Sequence, residues 1–276
     1  MEFPDEWTYG EAVDTAEVQE RALRLLWSND GRPARGPRRG LTVDAIVAAA
    51  LELVSTQGLA ALSMRQVATK LDVGTASLYT YLPGKAELAA LMLDAVMADA
   101  PLPHELPGDW RAKLAAWARD DWAAYRDHPW VLELAAVGAA PGPHMLRWLD
   151  SAIQALDGTG LSDTERLAVI ESVDGYVRGL ATLHHRSGGD ASPAEVERRG
   201  AALSELVDFD RYPALQRALR AGAKPYAADQ FEFGLERLLD GVAVLIRGRR
   251  SGRRRRNDGD GSGTLRERGT TSGDAP

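Results

Sequence analysis

A small residue, a tight turn and an apolar plug fall in register between residues 63 and 82, and few chain arrangements satisfy that combination. Ala68 lies in one short apolar-periodic segment and Leu78 follows ten residues later, with Asp72-Val73-Gly74 between them. Two helices that cross closely need a small side chain inside the first and a branched apolar residue to fill the angle between them. The turn residue of such a pair often sits at positive φ; Asp72 tolerates that region less well than Gly but better than most residues. The pattern is that of a helix-turn-helix, with a plain three-helix bundle as the bland alternative. Its second helix, TASLYTYL, puts Leu78 and Leu82 on one face and leaves Thr75, Ala76, Ser77, Thr80 and Tyr81 for the others. An outward side that is small, hydroxylated and aromatic suits entry into the major groove of duplex DNA.

The surrounding segments read as helices, and no alternating strand pattern of useful length appears. Thr42 is a candidate N-cap and Gly58 a candidate C-terminal stop for a helix whose inner stripe is Ile46, Ala50, Leu53 and Val54. Ser63 caps the next, with Val67, Ala68 and Leu71 facing inward. Residues 15–27 form an earlier helix with Val18, Ala22, Leu25 and Leu26 on one face, and 29–40, rich in Gly, Pro and Arg, is a linker. Beyond Lys85 an amphipathic helix uses Leu88, Leu91, Met92, Ala95 and Val96, and 101–109 breaks it. Further helices are expected at about 110–126, 130–140, 144–156, 162–186, 193–207, 213–221 and 227–248. The fold class is all-α. An N-terminal extension and linker (1–40) precedes a three-helix DNA-binding domain (41–86), a helical effector-binding and dimerisation domain (87–248) and a disordered Arg/Gly-rich tail (249–276).

A net charge of −7 over 276 residues looks wrong for a DNA binder until it is partitioned. Residues 1–31 hold 2 basic and 8 acidic side chains, 32–85 hold 7 and 3, and 86–246 hold 15 and 25. The basic module sits where the helix-turn-helix is, so one face is directed towards phosphate. With no cysteine, neither disulfides nor a zinc finger can form. The start lacks a signal-peptide core and no apolar run is long enough to span a bilayer, so a cytoplasmic protein with no membrane partner is expected. There is no phosphate-cradling glycine loop and no convincing metal spacing, so neither an enzyme nor a cofactor or metal site is expected.

The run LSMRQVATKLDVGTASLYTYLPGKAEL resembles the DNA-binding domain of the TetR family of transcriptional regulators, with Lys85 six residues after Tyr79 where a helix restarts. RDHPWVLELAA (126–136), DGYVRGLA (174–181) and FEFGLERLLDGV (231–242) are similar to the C-terminal domain of tetracycline-repressor type. The resemblance implies a homodimer on a palindromic double-stranded operator, released when a small-molecule effector enters the C-terminal domain. Carried over by position, it implies DNA contacts from Met64, Arg65, Thr75, Ala76, Ser77, Tyr79, Thr80, Tyr81 and Lys85. Met64 serves equally as core, and Tyr79 could instead pack against the first helix. The histidines here do not reproduce a magnesium-tetracycline site; of the five, only His104 falls near an expected ligand position.

Five of the seven tryptophans lie between 110 and 148. Aromatic residues and methionine lining a helical cavity suit a flat, apolar effector, although any helical domain also needs large core residues. The candidates are His104, Trp117, Asp121, Trp130, Met145, Trp148, Tyr176 and His184. If the core is instead solid, the regulator would answer to a partner protein or to nothing. The dimer interface is expected on the helices at about 165–186 and 228–246, through Phe231, Leu235, Leu238, Leu239 and Val242, with Gly175 and Gly179 allowing close approach. Arg32, Arg35, Arg38 and Arg39 are placed to reach the adjacent minor groove or phosphates, and Arg247 to Arg256 to form a solvated tail.

Overall fold

The computed structural model describes residues 15–28, 41–136, 140–188, 192–223 and 229–260. The four linker arginines and residues 261–276 lie outside them. Among the described residues there are twelve α-helices and no strand: α1 (Thr15–Ser28), α2 (Val43–Gln57), α3 (Met64–Lys70), α4 (Thr75–Tyr79), α5 (Lys85–Val96), α6 (Trp110–Asp127), α7 (Trp130–Ala136), α8 (Pro143–Gln154), α9 (Asp163–Ser187), α10 (Pro193–Leu206), α11 (Pro213–Arg220) and α12 (Asp229–Asp260). None of the described helices is long and apolar enough to cross a membrane.

The local signals act as their chemistry dictates. Thr42 accepts a hydrogen bond from the Ala45 amide and Ser63 one from the Gln66 amide, each satisfying a donor that the first helical turn leaves orphaned. Gly58 ends α2 at φ 79°, and its amide returns to the Val54 carbonyl. Ser162 and Glu165 form a reciprocal capping box at the start of α9. The last helix runs to Asp260, past the end expected near 248 and through the start of the segment read as a tail.

Two apolar cores organise these helices. The first joins α1 to α5 and also takes in Trp130 and Leu134 of α7; the second is built by α6, α8, α9 and α12. The expected boundary at residue 86 therefore does not separate them, because α5 belongs to the first core. Nor is α5 amphipathic in the expected way. Glu87 through Leu93 and Asp94 are all buried, since α1, α2, α7 and α8 all pack around it. By contrast α10 and α11 have no buried residue described, and Val196, Leu203, Leu206, Tyr212 and Leu215 stay exposed.

Candidate nucleic-acid interface and effector site

The helix-turn-helix closes around the residues that its spacing singled out. Ala68 is 2% exposed and Leu78 is fully buried. Asp72 is the only described non-glycine residue at positive φ, 54°, and its amide bonds to the Thr69 carbonyl. The Val73 amide reaches the Ala68 carbonyl at 3.0 Å, which pins α4 across the end of α3. Leu82, also fully buried, seats the far end of the recognition segment.

With that inner face fixed, the other side chains have no core to enter. Arg65, Ala76, Ser77, Tyr79, Thr80 and Tyr81 are exposed, and Thr75 and Lys85 are half-buried. Tyr79 is 52% exposed, so about half of its surface is open to a partner outside the domain. Met64 is the exception: it lies in the first core, because its position at the start of α3 turns it inward beside Val67. A large apolar side chain at 7% exposure belongs to the domain's packing and not to its outer face. The N-termini of α4 and α5 follow Gly74 and Gly84, neither of which caps them with a side chain, leaving amides that can bond phosphate.

The eight effector candidates fall into three places. Trp117, Asp121 and Trp148 come together where α6 meets α8. The two indoles form a T-shaped pair with centroids 4.9 Å apart, and the Trp117 indole N–H donates to Asp121 at 2.7 Å. Burial raises the Asp121 carboxyl to a pKa of about 7. The nearby Asp174 adds to that rise, while the Trp117 hydrogen bond and the Arg178 guanidinium oppose it. Asp174 pairs with Arg178 along α9 at 2.9 Å, and burial pushes the Tyr125 hydroxyl upward beside them. The result is a half-buried polar seam between α6 and α9 bordered by two tryptophans. His104 lies at its edge on a short turn, where its Nδ1 lies 2.7 Å from the hydroxyl of buried Ser151 on α8.

Tyr176, half-buried, and His184, buried, occupy a second place between α6, α9 and α12. Trp122 stacks on Phe231 at 4.7 Å and 7° and meets His184 at 5.4 Å. The Tyr176 hydroxyl donates to the Phe231 carbonyl at 2.9 Å, and a side chain at Gly234 would overlap its ring. Its polar atom is thus already used in docking α12. Trp130 and Met145 are in a third place altogether: both pack against the first core, with the DNA-binding helices. Sequence spacing could not reveal this, because α7 and the start of α8 fold back onto α5. Trp122, Tyr125, Ser151 and Arg178 were not singled out as contacts; the first was visible as one tryptophan among five, the others only through tertiary neighbours. Among the described residues no group of His, Asp and Glu is placed to hold a metal ion.

Residues 46–92 match the family described as bacterial regulatory proteins, tetR family, and residues 102–246 match the tetracyclin repressor-like C-terminal domain. The chain is 39% identical to the HTH-type transcriptional repressor DrrR1 of Streptomyces coeruleorubidus over 242 residues, covering 83% of this chain and 87% of that protein. A possible TetR family transcriptional regulator from Streptomyces coelicolor A3(2) shares its fold with TM-score 0.59 and 30% identity over 74% of this chain and 100% of the other. The Streptomyces coelicolor TetR family protein ActR, in complex with (S)-DNPA, is similar at TM-score 0.63 and 25% identity, over 75% and 99%. With the helix-turn-helix closed as described and both matched regions spanning its two cores, the chain belongs to the TetR family of DNA-binding transcriptional regulators.

Proposed function

We propose that this regulator is a repressor that binds a palindromic operator as a homodimer and releases it when a small, flat, largely apolar effector enters the C-terminal domain. The observation that carries the DNA reading is the outer face of α4. Thr75, Ser77 and Tyr79 of α4, with Thr80 and Tyr81 in the turn that follows, are presented there around fully buried Leu78 and Leu82. Ala76 suits a thymine methyl, Thr75, Ser77 and Thr80 suit base edges or phosphates, and Arg65 a guanine edge or phosphate. Lys85 adds charge beside the α5 N-terminus.

Dimerisation is supported by what α9 and α12 leave outside. Ala168, Ser172, Gly175, Gly179 and Leu183 form an exposed stripe on α9, and Phe233, Gly241, Val244 and Leu245 one on α12. A Cβ added at Gly175, Gly179 or Gly241 would meet nothing within 4 Å in the single chain, which leaves room for a second copy's helices to approach closely. The residues expected at the interface, Phe231, Leu235, Leu239 and Val242, are instead the inner stripe of α12.

The effector reading rests on the seam of Trp117, Asp121 and Trp148 together with ligand binding by ActR. A solid core under partner control is favoured by one observation, that Trp117, Trp122, Trp148 and Phe231 already pack ring against ring. Titrating a panel of planar aromatic compounds while following tryptophan fluorescence and release of a selected duplex separates the two. Fluorescence quenching with release at matching concentrations is expected; quenching and release by none of the panel would replace the effector with a protein partner.

A further inference from the structure

Helix α1 lies outside both regions that match the family, 46–92 and 102–246, yet it packs along α5, the helix in which the first of them ends. Ala22 and Leu26 are buried in the first core beside α5. Arg21 donates from Nε to Glu87 at 2.9 Å, and the Glu87 side chain is only 3% exposed. An ionised carboxylate so deeply placed needs a partner, so this contact ties α1 to the first turn of α5. At its other end α1 reaches the second half of the molecule: the Trp27 indole N–H donates to the Pro141 carbonyl at 3.1 Å.

Pro141 leads into α8, and α5 grips the same place from the other side. Asp94, 4% exposed, accepts from the Met145 amide at 2.9 Å and pairs with the His144 ring at 2.9 Å. Gly142 is required there, since a Cβ would overlap the Asp94 carboxylate. Two links therefore cross from the DNA-binding core to the start of α8, one from α5 and one from α1. The helix they reach carries Trp148 and Ser151, at the edge of the proposed effector seam.

We propose that α1 is a strap that holds α5 to the α7–α8 junction and thereby strengthens the coupling between effector and operator binding. Its effector arm rests on the ligand-responsive reading above. A double link transmits a shift of α8 to α5, which carries Lys85 at its first residue; with the α1 link cut, only the Asp94 contacts remain to carry that shift, and less of it reaches α5. Coupling is the factor by which effector weakens operator binding, and it is reciprocal.

The test uses the full chain with Trp27→Phe, which keeps the ring and removes the N–H, and with the paired change Arg21→Met/Glu87→Met, which removes the ion pair without stranding a buried charge. Operator affinity is measured on a duplex selected from a random pool, with and without the releasing compound found in the fluorescence panel. The expected result is a coupling factor about tenfold smaller in both variants, with compound affinity for the free protein unchanged. Hydrogen exchange supplies an arm that needs no compound: adding the duplex to the original chain should slow exchange of the amides at 143–147, and this distant protection should fade in both variants while that at 64–82 persists. A release compound acting equally on all three proteins would overturn the proposal and leave the ligand-responsive reading standing. If no compound releases, the exchange experiment decides, and unchanged protection at 143–147 in the variants overturns the strap.

Discussion

Helix α4 and the turn that follows it direct Tyr79 and Tyr81 outward, 52% and 38% exposed, whereas α6 turns Trp117 and Trp122 inward, 3% and 7% exposed. Large aromatic side chains on a short surface helix contribute little to folding and are displayed to something outside. Those in α6 pack against Trp148, Phe231 and His184, and their first effect is on stability. The two regions differ in how separable their roles are. On the recognition helix, affinity for DNA can be altered with the fold intact; in the second core, any group that touches an effector also supports the packing.

The contrast is sharpest between the two faces of α12. Leu239 is fully buried and Leu245 is 38% exposed. Leu239→Glu places a charge in the second core and should cost on the order of 4 kcal/mol or more, giving a chain that melts far below the original. Leu245→Glu should leave the melting of the protomer nearly unaltered. It should instead yield monomers in sedimentation and reduce operator affinity by about 100-fold or more, because two half-sites are then no longer bound together. A dimeric Leu245→Glu protein would move the interface away from this face.

On the recognition side the expected losses are smaller and leave stability alone. Thr75→Ala or Thr80→Ala should change base preference at one position of each half-site by about 1–3 kcal/mol, read from competition among duplex variants. Lys85→Ala should weaken all sequences alike and lower the slope of log affinity against log salt by about one unit per protomer. A Lys85→Ala protein with the original salt dependence would remove that residue from the phosphate contacts.

Asp121 tests the interior by pH. Burial holds its carboxyl near 7, against 3.8 for the group in water. Between about pH 4 and 7 the folded chain keeps a proton that the unfolded chain has lost, so this group makes stability fall as pH rises through that window and level off above it. Asp121→Asn retains an oxygen for the Trp117 indole and has no charge to bury. It should match the original near pH 4 and exceed it at pH 8 by roughly 1–3 kcal/mol, measured by denaturant unfolding. Parallel curves for the two proteins across this range would mean that water reaches the seam freely.

The DNA-binding unit was legible in the sequence because its determinants are local. Thr42, Gly58, Ser63, Ala68, Asp72 and Leu78 each act within a few residues of their own position, and the structure places all six as their spacing implies. Met64 stayed ambiguous because the start of α3 offers both an inner and an outer direction. The interior of the C-terminal half was less legible. An apolar stripe has the same period whether it faces the protomer's own core or a second copy, and this is why Phe231, Leu235, Leu239 and Val242 were assigned to the wrong side of α12. Trp130 and Met145 were misplaced for a related reason: they meet α5 only after the chain has folded back, across a sequence separation that no periodicity records. Buried Glu87 and Asp94 gave no sign either, since their partners Arg21, His144 and Met145 lie far away in sequence.

The smallest effect belongs to the arginines that follow the second core. They were expected to be a solvated tail, yet Arg249 donates from Nε to Glu165 at 2.8 Å, and that hydrogen bond holds the Glu165 carboxyl below its ordinary pKa. Glu165 also closes the capping box of α9, so Arg249 helps to fasten α12 to the start of α9. Both partners remain solvated, 55% and 20% exposed, and exposed ion pairs of this kind are worth about 0–1 kcal/mol. Deleting 253–276 should therefore leave thermal stability unaltered, while Arg249→Ala should lower it by less than about 1 kcal/mol and the difference should vanish at about 1 M salt. Should the 253–276 deletion also reduce operator affinity and flatten its salt dependence, those arginines would have to reach the DNA, and the charge that meets phosphate would no longer be confined to the N-terminal half.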